Sequence, residues 1–192
     1  MLFRSDDGSV YVYFGGIWGG QLQCYSAPDG GNFDASQDGP HEPSGPGVLA
    51  LGPRVAKLSE DLHTFAEPAR EIQIVDEQGN PLLADDHERR FFEASWMHKR
   101  NGVYYFSYST GDTHFIVYAT GTSPYGPFTY KGKILEPVVG WTTHHSIVEH
   151  EGKWWLFYHD CELSKGVDHL RSVKVKELEY DDKGDIITMT PN

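Results

Sequence analysis

Cys24 and Cys161 are the only cysteines among 192 residues. They are too few for a disulfide framework, and their spacing fits no zinc pattern; a single bridge between them stays open. No run approaches the ~18–20 apolar residues of a membrane helix. No stretch carries the periodicity of a long amphipathic helix. Positive charge is also scarce: 16 Lys and Arg stand against 28 Asp and Glu, a net charge of -12. Nucleic acids and anionic membranes recruit clustered Lys and Arg, so the balance argues against both as partners and leaves neutral or cationic ligands. The first residues lack the basic region, apolar stretch and small-residue cleavage site of a signal peptide. That favours a cytoplasmic location. A strand-like pattern begins almost at Met1, where a domain usually has a freer start, so the chain is expected to begin inside a longer one.

What the sequence has in quantity is aromatic residues, 14 % of the chain. Tyr and Trp, with an apolar body and a polar handle, suit both sugar faces and β-sheet cores. Three segments share one shape: "SDDGSVYVYFGG" (5–16), "HKRNGVYYFSYST" (98–110) and "EHEGKWWLFYHD" (149–160). Each has a polar turn ending in Gly8, Gly102 or Gly152, then alternating aromatic and β-branched residues. Asn-Gly and Asp-Gly favour hairpin turns because both residues tolerate positive φ. Each hairpin is followed by a further strand and a second turn, with Phe65, Phe128 and Tyr180 in like positions. The second and third turns lie about 50 residues apart, the period of a four-stranded propeller blade. The first interval is lengthened by a Gly-, Pro-, Asp- and Ser-rich loop over about 26–53 and by "DEQGNPLLADDHE". A β-sandwich has strands at similar spacing, but the self-similarity favours an all-β propeller of four-stranded antiparallel blades. One domain is expected, with three blades at about 1–75, 90–138 and 141–190. Propellers usually have at least four blades, and open edges promote association, so a homo-oligomer or a place in a larger propeller is expected.

Within this frame "RRFFEASWMHKR" puts a carboxylate, Glu93, among Phe91, Phe92 and Trp96. It is either an outward-facing strand residue or a carboxyl whose pKa an apolar pocket raises, as a general acid requires. His144 and His145 are adjacent in "WTTHHSIVEH", so on a strand they face opposite ways and only one can enter a central channel. Arg171, Asp112, His114 and Trp18, the last flanked by glycines, complete the candidates. Each also has a plain reading: Arg171 as a surface ion pair, Trp18 as core, Asp6 and Asp7 as turn formers, and residues 85–87 as a solvated loop.

The stretches "FFEASWMHKRNGVYYFSYSTGDTH", "ATGTSPYGPFTYKGKILEP", "WTTHHSIVEHEGKWWLFYHD" and "LRSVKVKELEYDDKGDI" resemble glycoside hydrolase family 43, and the resemblance covers essentially the whole chain. It is strongest to the β-xylosidase and α-L-arabinofuranosidase branch. It implies a five-bladed propeller, of which this chain matches the last three blades, and exo hydrolysis of small β-xylosides or α-L-arabinofuranosides, as in xylan degradation. Glu93 then matches the general acid, its pKa raised by aromatic surroundings. His144 matches a histidine that helps hold a calcium ion or its waters, with His145 structural behind it. Arg171, Trp18, Phe92, His114 and Thr143 are the expected substrate-binding residues. The family's general base and its acid-orienting aspartate have no matching residue in this chain. A substitute base is expected from Asp112, a partner subunit or a metal-bound water; failing that, the chain is a carbohydrate-binding module with impaired catalysis.

Overall fold

A computed structural model describes residues 1–16, 43–141 and 144–191. Trp18, Thr143, Cys24 and most of the 26–53 loop lie outside the described residues. Among those described there is no helix, and twelve strands form three sheets. The expected hairpins open each sheet. β1 (Leu2–Arg4) pairs with β2 (Val10–Phe14), β6 (Glu93–Arg100) with β7 (Val103–Ser109), and β10 (His145–His150) with β11 (Lys153–Asp160). At the second and third turns Asn101 and Gly102, then Glu151 and Gly152, all have positive φ. This is the conformation that lets a two-residue turn match the twist of its strands.

The sheets do not carry a uniform four strands. β3 (Arg54–Lys57) and β4 (Arg70–Glu71) complete a first sheet of four. β8 (Ile116–Gly121) and β9 (Phe128–Leu135) extend the second, and β5 (Ile74–Val75) joins it beside β9, in parallel, to make five. Ile74 and Val75 are both buried, so the apolar pair is drawn onto the larger sheet instead of the first. The third sheet has only β12 (Ser172–Leu178) beyond its hairpin. Where a fourth strand was expected there is an isolated bridge between Tyr180 and Ile186.

Alternation on β7 decides how the sheets pack. Tyr104, Phe106 and Tyr108 point into a core shared with Tyr13, Val55 and Ile72 of the first-sheet side. Tyr105 points the other way, into a core shared with Ile147, Leu156 and Tyr158 of the third sheet. A strand buried on both faces reads as a nearly continuous apolar run, as "VYYFSYS" does. The second sheet is thus the middle layer, and the strand that carries Glu93 lies at its edge beside the third sheet.

Candidate active site

Glu93 begins β6, where the pairing with β7 is irregular between Glu93 and Trp96. The next residue, Ala94, has φ 65°, a left-handed conformation that costs a residue with a β-carbon about 1–3 kcal/mol. A bulge of this kind re-aims a side chain at the end of a strand. The backbone of Gly16 closes on Glu93: a Cβ there would lie 3.6 Å from that of Glu93.

The surroundings of Glu93 differ from the apolar pocket expected. Phe91 packs into the core against Phe106 and Tyr108. The Trp96 indole N–H donates to the Ile147 carbonyl at 3.0 Å. Phe92 is buried under Gly111, whose added Cβ would fall 2.4 Å from its ring. The Glu93 side chain is 25 % exposed, with its Oε1 3.8 Å from Nε2 of the exposed His144. Among the described residues, an imidazole therefore stands beside the carboxyl.

His144 and His145 divide as strand alternation requires. His145 Nε2 lies 2.7 Å from the Ser107 hydroxyl in the layer behind, while His144 faces Glu93. His159, on β11, was not singled out from the sequence. Burial, then the charges of Arg171 and His144, hold its pKa below the usual histidine value. Arg171 reaches it, Nη1 to Nε2 at 3.5 Å, and donates from Nε to the Asp168 carbonyl at 2.9 Å.

The same Asp168 fixes the far side of the site. Its Oδ1 accepts the Trp141 backbone N–H at 2.9 Å. The Trp141 and His114 rings meet edge to face, 4.4 Å between centroids. His114 itself has φ 61°, and its N–H donates to the Gly111 carbonyl at 2.8 Å. Asp112 has partners of its own. It pairs with His87 at 2.8 Å and with the buried Arg90 at 3.6 Å, anchoring the 110–114 turn. Of the expected residues, the structure therefore brings together Glu93 and His144, sets Arg171 against His159, and places Phe92 beneath the turn that carries His114. His159, Asp168 and Trp141 were missed; alternation along "WWLFYHD" was the one signal that set His159 on the outward row with Trp155 and Phe157.

Gly140 permits this arrangement. It has φ 89°, and a Cβ would lie 2.7 Å from the sulfur of buried Cys161. Gly140→Ala should destabilise the fold by about 1–3 kcal/mol, read as a lowered midpoint in urea denaturation at unchanged slope. An unchanged midpoint would show that the 137–141 segment has room to relax.

A calcium ion favours six to eight oxygen ligands. Among the described residues no group of three or more His, Cys, Asp or Glu side chains converges to hold a metal, and beside His144 the one ion-pairing carboxylate is Glu93. The side chains of the described residues do not by themselves form a calcium cage.

Glu93 and His144 thus meet at one sheet edge, and Trp141 with His114 and Asp168 lines a separate open cleft, all on an all-β scaffold. Residues 54–186 match the family model described as glycosyl hydrolases family 43, and the chain belongs to that family. It is 71 % identical over 192 residues to the xylosidase/arabinosidase 43A of Humicola insolens, covering 99 % of this chain and 58 % of that protein. It is 59 % identical to a β-xylosidase of Xylanibacter ruminicola, covering 98 % and 56 %. Among solved structures, a GH43 β-xylosidase/α-arabinofuranosidase from a compost microbial metagenome, in complex with xylotriose and in a calcium-free form, superposes with a TM-score of 0.92. It is 59 % identical over 98 % of this chain and 56 % of that one. A GH43_1 enzyme from Xanthomonas citri, also complexed with xylotriose, gives 0.91 at 56 % identity, over 99 % and 56 %. The chain thus spans a little over half the length of the relatives it matches.

Proposed function

We propose that this chain serves in the hydrolysis of small β-xylosides or α-L-arabinofuranosides, removing the terminal sugar, with Glu93 as the general acid. The observation that carries the reading is the placement of Glu93: a strained bulge aims a partly exposed carboxyl out of a sheet edge and beside His144. The names and xylotriose complexes of the relatives support the substrate class. In this reading the three sheets are consecutive propeller blades around the channel that holds the sugar.

The chemistry follows from the groups. Glu93 gives its proton to the glycosidic oxygen as the bond from that oxygen to the anomeric carbon breaks, so the leaving sugar departs as a neutral alcohol. His144 holds the carboxyl in place and joins the solvent-facing hydrogen bonds around it. Arg171, braced by Asp168 and His159, donates to sugar hydroxyls. Glycosidases of this kind use a second carboxylate, to activate water or to attack the anomeric carbon. We assign Asp112 to anchoring the 110–114 turn, since it already pairs with Arg90 and His87. We assign none of the described residues as that second carboxylate.

The test is to incubate the purified chain with 4-nitrophenyl β-D-xyloside, 4-nitrophenyl α-L-arabinofuranoside and xylotriose, and to titrate xylotriose calorimetrically. Release of xylose or arabinose supports the reading. Binding of xylotriose without release would make this chain the carbohydrate-binding module of the alternative, and neither binding nor release would sink both.

A further inference from the structure

The layer between the second and third sheets is filled by Tyr105, Ile147, Leu156 and Tyr158. Ser107 and His145 interrupt it with polar groups. Ser107 is fully buried, on the face of β7 that carries Tyr105, and its hydroxyl shares a 2.7 Å hydrogen bond with Nε2 of His145. A buried polar pair gains little stability over an apolar pair of similar size, and it is costly if either group is left unmatched. Stability alone therefore gives no reason for this pair. What it adds is direction. Apolar contact has no preferred angle, whereas a hydrogen bond fixes both a distance and an angle.

The place of the pair gives that direction a use. On one side, His145 follows His144 in the chain and is the first residue of β10. On the other, Ser107 stands opposite Trp96 in the ladder, and two residues on, Ser109 stands opposite Glu93. The bond thus ties the strand end that bears His144 to the ladder that bears Glu93, and these two side chains approach to 3.8 Å. A second tie lies two residues along β10, where the Trp96 indole N–H donates to the Ile147 carbonyl at 3.0 Å. That tie holds the body of β10; the Ser107–His145 bond holds its end. We propose that Ser107 and His145 are positioning residues for the general acid, setting the separation of Glu93 and His144. This rests on the glycosidase reading above and deepens it. Without the bond the end of β10 can shift against β7, His144 leaves the carboxyl, and Glu93 meets the glycosidic oxygen less often in the geometry for proton transfer. A displacement of about 1 Å at a reacting group can cost about 10²-fold in rate.

The experiment measures kcat and KM for xylobiose and for 4-nitrophenyl β-D-xyloside in wild type and three variants. Ser107→Ala removes the hydroxyl, His145→Leu puts an apolar group in place of the imidazole, and His145→Gln keeps a polar group that can reach Ser107. In Ser107→Ala and His145→Leu, kcat for xylobiose should fall about tenfold or more, with KM within about twofold, the split expected when only the transition state is affected. kcat for the nitrophenyl glycoside, whose leaving group needs no proton, should fall less than about threefold. His145→Gln should recover most of the activity on xylobiose. Unchanged kcat for xylobiose, or equal falls on the two substrates, would overturn the positioning role and leave the glycosidase reading intact. Should His145→Leu fail to fold, Ser107→Ala decides alone, since it adds no bulk. If wild type hydrolyses neither substrate, the glycosidase reading fails, and NMR judges the pair. Glu93→Gln should then shift the His144 ring resonances in the wild-type background and not in the Ser107→Ala background. Equal shifts in both backgrounds, or none in either, would overturn the role.

Discussion

Glu93→Gln is expected to lower kcat for xylobiose by about 10²–10⁴-fold, the usual worth of a positioned general acid. The loss should shrink for 4-nitrophenyl β-D-xyloside. Nitrophenolate departs without a proton, whereas a sugar alkoxide does not. That dependence on the leaving group separates an acid from a residue that merely shapes the site, whose removal would slow both substrates alike. Glutamine keeps the size and hydrogen-bonding capacity of the side chain. The contact with exposed His144, at 3.8 Å, is of the surface type worth ~0–1 kcal/mol, so thermal denaturation should barely move. Unchanged kcat for xylobiose would remove Glu93 from the chemistry.

The second large effect concerns stability and lies away from the cleft. His98 is buried on β6, stacked on Tyr105 at 4.8 Å and tilted against Trp154 at 5.0 Å. Its Nε2 shares a 2.8 Å hydrogen bond with the Tyr180 hydroxyl, while its Nδ1 is buried without a hydrogen-bond partner among the described residues. Burial first, and then the nearby His145 and Arg100, lower its pKa from 6.5 to about 3. Between those values the unfolded chain takes up a proton that the folded chain refuses. This contribution to stability is therefore complete above about pH 6.5 and is lost as pH falls toward 3, at about 1.4 kcal/mol per pH unit. Guanidinium denaturation at pH 6.5 and pH 4.5 should show wild type losing about 2 kcal/mol more over that interval than His98→Gln. Parallel losses would mean that the ring accepts its proton in the folded state. Because titrating carboxylates act on both proteins, the difference between them isolates His98.

Much of the fold was legible because it rests on short-range rules. The Asn101-Gly102 turn and the alternation of "GVYYFSYS" specify a hairpin with no knowledge of what surrounds it. The strand count was less legible. Whether Ile74 and Val75 extend the first sheet or the second depends on which edge is free to receive them, and Tyr180 makes only an isolated bridge with Ile186 where a strand was expected. At the site, Glu93 and His144 were visible as polar residues out of keeping with their neighbours. What the sequence did not announce is the bulge at Ala94, which leaves the carboxyl partly exposed and 3.8 Å from His144. His159, Asp168 and Trp141 acquire meaning only when the 137–141 segment meets the 161–171 loop, a contact between distant stretches that no local pattern announces.

The two-sided burial of β7 has a consequence for how this molecule comes apart. Tyr104, Phe106 and Tyr108 belong to one core and Tyr105 to the other, on a single backbone whose hydrogen bonds lock β6 and β8. Neither core can open while the other stays shut, because loosening either face disturbs the same strand. The three layers therefore behave as one foldon rather than as beads on a string. Glu93 is paired in register with Ser109, the last residue of that strand, so its backbone is anchored to the strand the two cores share.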